Sequence, residues 1–338
     1  MQNSFYDSAD RFFAQECTPA HLRQIEQGSD PKALWETLLS AGFVDGLVPE
    51  SSGGAGLTLA DAWPILFCMG RHALPLPYAH SMLARAWLSH HAKDIPEGSL
   101  TFAPFQVVTD GAGLTAHAVS FGLVADWVLV QEGKQVWLLP TADATVTPSG
   151  GHGTLDANLT WSAAMTQRSL LGQWETPQFR HLLALSVSVL IAGATDRVFE
   201  MMLAHANQRE QFGKPIGRFQ AVQQQISEVA ELVFGVRMAT EMACRSSDWQ
   251  PTPMLAALAK TQASQAVARV TAVAHAVHGA IGVTQEYDLQ LFTRRLNEWA
   301  RVGGGQSFWA EQLGREVLLS KQMTVDFVRS ELFLEGKN

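Results

Sequence analysis

The chain has 338 residues, 47% hydrophobic and 17% charged, values of a globular protein long enough for two or three domains and without a disordered signature. A formal net charge of −8 and the lack of a long basic run argue against a nucleic-acid partner. Cys17, Cys68 and Cys244 are scattered, and His90–His91 and His275 with His278 lack carboxylates at metal spacing, so neither a disulfide framework nor a metal site is expected.

The N-terminus, Met1 to Asp10, has no basic segment followed by an apolar core, so no export signal is expected and a cytoplasmic location is the default. Residues 1–98 read as a helical domain. Asp30 as N-cap with Pro31 at the first helical position opens a helix through Leu34, Leu38 and Leu39, and Gly42 is placed to stop it. Gly53-Gly-Ala-Gly56 then predicts a tight inter-helix turn rather than a phosphate loop, because no strand precedes it and no Lys-Ser/Thr follows. Thr58-Leu-Ala-Asp61 is a near capping box.

Residues 99–175 change character. Asp126–Val130 and Gln135–Leu139 are short β-rich runs around a hairpin signal at Gln131–Lys134, and Thr160-Trp-Ser is again strand-like, giving a small β domain. Helical periodicity returns over 176–338. Leu182 to Ala194, the longest apolar-leaning stretch, contains Ser186 and Ser188 and reads as a buried helix too short to span a bilayer. Val222, Ile226, Val229, Val233 and Val236 share one helix face, and the Ala-rich run 256–277 suits close helix packing. The expected class is α+β, mostly α.

Between the first two long helices of this last region, Arg209-Glu-Gln-Phe-Gly213, Pro215, Gly217 and Phe219-Gln220 force a turn that carries an Arg, amides and aromatic rings, a set suited to a phosphate and a flat ring. This segment closely resembles the flavin-contacting loop of acyl-CoA dehydrogenases. Val48-Pro-Glu50 with Gly53–Leu57, His278-Gly-Ala-Ile-Gly282 and Leu291-Phe-Thr-Arg-Arg295 resemble three further signatures of that family, so the resemblance spans nearly the whole chain. It implies an N-terminal helical domain, a reduced middle β domain and a C-terminal four-helix bundle. It also implies FAD-dependent α,β-dehydrogenation of an acyl-CoA. Arg209 would pair with the pyrophosphate, Phe212 would pack by the adenine, Gln211 and Gln220 would contact the ADP portion, and Gly279 and Gly282 would let the backbone approach it.

The departures narrow the expectation. In many family members the base is a Glu before the Gly of a Tyr-Glu-Gly-Thr segment, and Gly304 stands at that place here. A second branch takes its base from the helix after the flavin loop, and Trp249 holds that counted position. Asp248 is one residue off, and Glu241 is a further candidate. The β domain lacks the family's Thr-Glu-Pro-x-x-Gly-Ser-Asp and Gly-x-Lys-x-Trp-Ile-Thr segments. The substrate-gripping Asp-x-x-Arg pair aligns with His181 and Ala184, with Arg180 out of register. No catalytic residue is assigned. The resemblance therefore implies one subunit of an α2β2 acyl-CoA dehydrogenase, like the short subunits of bacterial steroid side-chain degradation in lipid metabolism. A second subunit would supply the base, a steroid-CoA is a possible substrate, and an electron-transfer flavoprotein is the expected oxidant. The alternatives are a non-catalytic scaffold or regulatory paralogue, and a homomeric dehydrogenase using Asp248 or Glu241.

Overall fold

The computed structural model describes residues 2–176 and 178–331, so Met1, Pro177 and the last seven residues of the expected domain spans lie outside the described residues. Five helices open the chain: α1 (Gln2–Glu16), α2 (Pro19–Glu26), α3 (Lys32–Ser40), α4 (Leu59–Arg71) and α5 (Tyr78–His90). The predicted punctuation is largely present. Gly42 is left-handed at φ 75° just past α3, and Thr58 and Asp61 form a reciprocal capping box at the start of α4. The start of α3 differs by one residue: Pro31 is the cap, and Asp30 Oδ1 accepts the Lys32 N–H at 2.9 Å.

The strands are β1 (Leu100–Ala103), β2 (Val107–Asp110), β3 (Gly113–Val119), β4 (Trp127–Glu132), β5 (Gln135–Pro140), β6 (Thr145–Pro148), β7 (Ala157–Ser162) and β8 (Leu170–Gln173), with the short helix α6 (Ala163–Arg168) before the last. They build two four-stranded sheets of order β1-β4-β5-β8 and β2-β3-β7-β6. β1 and β4 are parallel, and the other pairings are antiparallel. The β4–β5 hairpin is tighter than read, since Glu132 pairs with Gln135 and leaves a two-residue turn. Val128, Leu129 and Val130 are all buried because the first sheet is covered twice. Val128 and Val130 meet Leu114, Leu159 and Trp161 of the second sheet, whereas Leu129 joins the helical core with Leu100 and Phe102.

The rest is helical: α7 (Phe179–Gln208), a two-residue hairpin β9 (Glu210–Gln211) and β10 (Lys214–Pro215), α8 (Gln220–Ala243), α9 (Pro253–His278), α10 (Leu289–Trp299), α11 (Gln306–Ser320) and α12 (Thr324–Glu331). Ile226, Val229, Val233 and Val236 of α8 are buried as their spacing requires. The segments Phe179–Gln208 and Pro253–Val283 are long and apolar enough to cross a membrane by composition, a wider window than the sequence reading found. Within this fold, 83% and 50% of those windows are buried against other elements. α4 and α7 cross at backbone contact. A Cβ on Gly70 would lie 2.2 Å from the Leu190 carbonyl, and one on Gly193 would lie 2.0 Å from that of Phe67.

The three regions are tied together by one carboxylate. Glu26, at the end of α2, accepts from Arg294 Nη2 at 2.6 Å and from Arg295 Nη2 at 2.9 Å, both on α10. Arg295 also donates to the carbonyls of Ala73 and Leu74, and Arg294 to that of His152 in the β6–β7 connection. The Glu26 and Arg295 side chains are 7% and 5% exposed. Removing the carboxylate would strand a buried guanidinium, so Glu26→Gln is expected to destabilise the protein by about 3–5 kcal/mol. The measurement is the denaturant midpoint at unchanged m-value, and a shift within error would contradict the assignment.

Candidate functional site

The predicted flavin-loop residues sit at the far end of α7. Arg209 caps that helix, its N–H bonded to the His205 carbonyl at 2.8 Å, and its side chain is exposed. The chain then reverses through Phe212 and Gly213, both left-handed at φ 52° and 76°. A left-handed conformation is uncommon for a bulky residue, and Phe212 is also 92% exposed. Its ring meets Phe219 edge-on at 6.1 Å, while Lys214 Nζ stands 4.3 Å over the Phe219 ring. Gln211 and Gln220 are exposed on the same turn, and Gln223 Nε2 donates to the Gly217 carbonyl at 2.9 Å to hold the turn on α8.

The Gly279 turn comes to the same end of the bundle. His278, before it, stacks near His205 of α7 at 4.5 Å and Tyr287 at 5.2 Å. Burial holds both histidines below the ordinary imidazole range, so this contact is between neutral rings. The two glycines differ. Gly279, at φ 66°, faces open space, whereas Gly282 is packed inward, with a Cβ there lying 3.0 Å from His278 Cβ and 3.1 Å from Leu289 Cδ2.

A second feature lies elsewhere, between the β domain and the bundle. A cavity of about 750 Å³ is bordered by the end of β1 through Gln106, by His117–Ser120, by the β6–β7 connection and by α10 and the turn after it. Lys260, fully buried on α9, fixes that turn by donating to the Trp299 carbonyl at 2.5 Å, and burial lowers its pKa to about 7. Gly303 and Gly304 are left-handed at φ 68° and 95°. A Cβ at Gly304 would lie 2.7 Å from Phe308 Cδ1 and 3.0 Å from Trp309 Nε1. Position 304 therefore borders the cavity but has no room for a side chain as the turn stands.

The other proposed bases do not reach this cavity. α8 ends at Ala243, so Asp248 and Trp249 lie on a loop rather than on a helix, which corrects the sequence reading. Asp248 Oδ1 accepts the Trp249 N–H, and Trp249 stacks on His90 at 4.9 Å, on a separate cleft beside α5. Glu241 pairs with Arg245 one turn on, at 3.7 Å. Arg180 donates to the Pro104 carbonyl at 3.2 Å with its guanidinium 4.8 Å over Phe105, and His181 packs on Trp309 at 5.5 Å.

Sequence reasoning missed the carboxylates that do border the cavity. Asp156, in the β6–β7 connection, and Glu298, on α10, both border it, near enough for each to act on the other's charge. Burial raises both pKa values and their mutual repulsion raises that of Glu298 further, while the Phe121 N–H, 3.3 Å from Asp156 Oδ1, partly offsets the rise there. Ionising both at once is therefore disfavoured. Because the folded pKa values lie above the unfolded ones, this pair favours the fold at acid pH, and the benefit is lost as pH rises from the ordinary carboxylate range past neutrality. Glu298→Gln is expected to flatten the fall in stability across that range, by on the order of 1–3 kcal/mol. Thermal unfolding of both proteins at several pH values would check it, and parallel curves would contradict it.

Two family descriptions match the chain: "Acyl-CoA dehydrogenase, N-terminal domain" over residues 1–94 and "Acyl-CoA dehydrogenase, C-terminal domain" over 181–317. Acyl-CoA dehydrogenase IpdE2 of Mycolicibacterium smegmatis is 28% identical over 300 residues, covering 87% of this chain and 90% of its own. Acyl-CoA dehydrogenase FadE27 of Mycobacterium tuberculosis is 28% identical over 349 residues, covering 89% and 92%. Among solved structures, a chain of the ChsE4-ChsE5 complex from Mycobacterium tuberculosis superposes with a TM-score of 0.83 at 24% identity, covering 96% of this chain and 98% of that one. A chain of the Tcur3481-Tcur3483 steroid ACAD G363A variant superposes equally, at 0.83 and 23% identity, covering 94% and 98%.

Proposed function

This chain belongs to the acyl-CoA dehydrogenase family, and from that premise we propose that it is one subunit of a heteromeric, FAD-dependent acyl-CoA dehydrogenase. It contributes contacts to the ADP end of a flavin whose ring and catalytic base belong to the neighbouring chain. The observation that carries this reading is the sealed turn at Gly304. Where many relatives place the base, the backbone is left-handed and a Cβ would collide with Phe308. Asp248 and Glu241, the bases a homomeric enzyme would need, face other surfaces.

The residues around the flavin loop fit the group's ADP end. Arg209 is exposed and supplies the fork that pairs two phosphates. Phe212, turned outward, offers its face to an adenine, and Gln211 and Gln220 offer amides to the ribose and phosphate oxygens. Gly279 opens the backbone for close approach, and Gly282 lets its turn close underneath. FAD held there would supply the acceptor for the Cβ hydride of the acyl thioester. This chain's own part is to hold the nucleotide end and to close one side of the shared site. A steroid-CoA as substrate is supported by the steroid relative named above, and an electron-transfer flavoprotein is proposed as oxidant.

Arg209→Ala in the assembled complex is expected to weaken flavin retention by about 2–5 kcal/mol, because a pyrophosphate charge is left unpaired. Flavin absorbance per complex after gel filtration would measure it. Undiminished flavin content in the variant, or purified chain alone holding stoichiometric flavin and oxidising an acyl-CoA, would overturn the reading.

A further inference from the structure

We propose that His205 is a second binding residue for the flavin's diphosphate, beside Arg209, and that its imidazole is protonated in the complex, so that seating the nucleotide end takes up a proton from solvent. The inference rests on the flavin reading above; the choice of residue rests on where His205 stands in the fold.

His205 lies in the last turn of α7, and its carbonyl accepts the N–H of Arg209, the cap, at 2.8 Å. Residues four apart share a helix face, so imidazole and guanidinium leave α7 toward the same side. Arg209 is near enough to act on the charge of His205. The Gly279 turn, the other segment assigned to the nucleotide, meets the ring as well. His278, next to Gly279, packs on His205 at 4.5 Å between ring centroids with 31° between planes, and Tyr287 stands edge-on at 6.4 Å. The two segments therefore join at His205. That side chain is half-buried, and neither of its nitrogens has a hydrogen-bond partner among the described residues. His278, by contrast, is 5% exposed with Nδ1 on the Ala274 carbonyl at 2.7 Å.

A diphosphate brings two negative charges to the C-terminal end of a 30-residue helix, where the carbonyl dipoles oppose an anion and favour a cation. Arg209 offsets one charge, but Glu210 beside it is exposed and adds another. Lys214 holds its ammonium over the Phe219 ring, and Arg218 is exposed further round the loop. In the free chain burial and then Arg209 keep His205 neutral. His278 is also kept neutral by burial, with His205 and His275 opposing its charge, although its ring faces the Ala274 and Met201 carbonyls. Burial keeps the Tyr287 hydroxyl protonated, with Asp288 adding to the effect and Arg197 opposing it. A seated diphosphate reverses the balance at His205, because an adjacent negative charge favours the imidazolium. A ring nitrogen lone pair then takes a proton from solvent, and the new N–H donates to a phosphate oxygen as a charge-assisted hydrogen bond.

The experiment uses the full-length chain in its assembled complex, stripped of flavin and refilled with FAD. Kd is read from flavin fluorescence across roughly pH 6 to 8, the range in which a histidine near a phosphate titrates and a disubstituted diphosphate does not. The wild-type complex is expected to bind about 3- to 10-fold more tightly for each pH unit of acidification. His205→Phe keeps a ring against His278 and removes the titrating nitrogen. It is expected to lose the pH dependence, binding at least about 10-fold more weakly at the acid end and within about 3-fold of wild type at the alkaline end. Arg209→Ala should weaken binding at every pH and keep the slope, and His278→Phe should keep it too. FAD bound with a flat wild-type profile, or with an unchanged slope in His205→Phe, overturns the role of His205 and leaves the flavin reading standing. A complex that takes up no FAD at any pH overturns that reading and this inference together. Should His205→Phe fail to assemble, His205→Gln replaces it, and calorimetry of FAD binding in buffers of different ionisation heat counts the protons taken up by the wild type. No net uptake would sink the proposal.

Discussion

Everything that meets at the cavity is held by the contact of Glu26 with Arg294 and Arg295. A buried carboxylate is tolerated only when its lost hydration is replaced by well-placed donors, and here two guanidinium groups replace it, each further engaged with backbone carbonyls. Adjacent residues on a helix point about 100° apart, and the two long arginine side chains converge from α10 on the one carboxylate at the end of α2. That geometry fixes the N-terminal helices against the bundle. It also brings in the β6–β7 connection, because Arg294 reaches the His152 carbonyl and needs Gly153 beside it. A Cβ there would fall 1.9 Å from Arg294 Nη1.

The same constraint sets the electrostatics of the cavity. Asp156 follows His152 by four residues, and Glu298 follows Arg294 by one helical turn, so the ion contact and the carboxyl pair are carried by the same two segments. The arginines are consumed by Glu26 and by carbonyls, and the Coulombic relief Arg295 gives Glu298 is smaller than the effect of burial and of Asp156. A carboxyl pair so placed keeps a proton that isolated carboxylates would release.

Much of the architecture was legible in the sequence. Helix periods, the Thr58–Asp61 capping box, the Gly42 stop and the Arg209–Gln220 turn are local patterns, and local patterns survive folding. Of the second sheet only Thr160-Trp-Ser, in β7, was legible, because β2 and β6 are short and largely exposed and carry little hydrophobic alternation. The early end of α8 was missed because Arg245-Ser-Ser-Asp248 has no strong breaker until Pro251. Asp156 and Glu298 had no signal at all. They are separated by the end of the β domain and three long helices, and neither belongs to a motif; only the docking of the β domain on α10 makes them neighbours. Arg294 and Arg295 were visible as a basic pair, but their inward turn toward Glu26 was not.

Two positions bear on how the chain relates to a neighbour. Phe212 combines a left-handed backbone with a ring that its own fold leaves in water. Each is unfavourable for an isolated chain, and Phe219 shields only an edge. A surface that collects strain, an exposed aromatic ring and an exposed Arg in five residues is organised for contact rather than for internal stability. Gly304 bears on the same relation from the other side. A glycine in a packed interior can leave a gap where a side chain would sit, and such a gap is costly. Instead Phe308 and the Trp309 indole occupy that space, and Trp309 Nε1 donates to the Gly303 carbonyl at 2.9 Å. A carboxylate at 304 would require a different backbone turn and a displaced Phe308, so the packing around the turn, as well as the one residue, keeps a side chain out of that position.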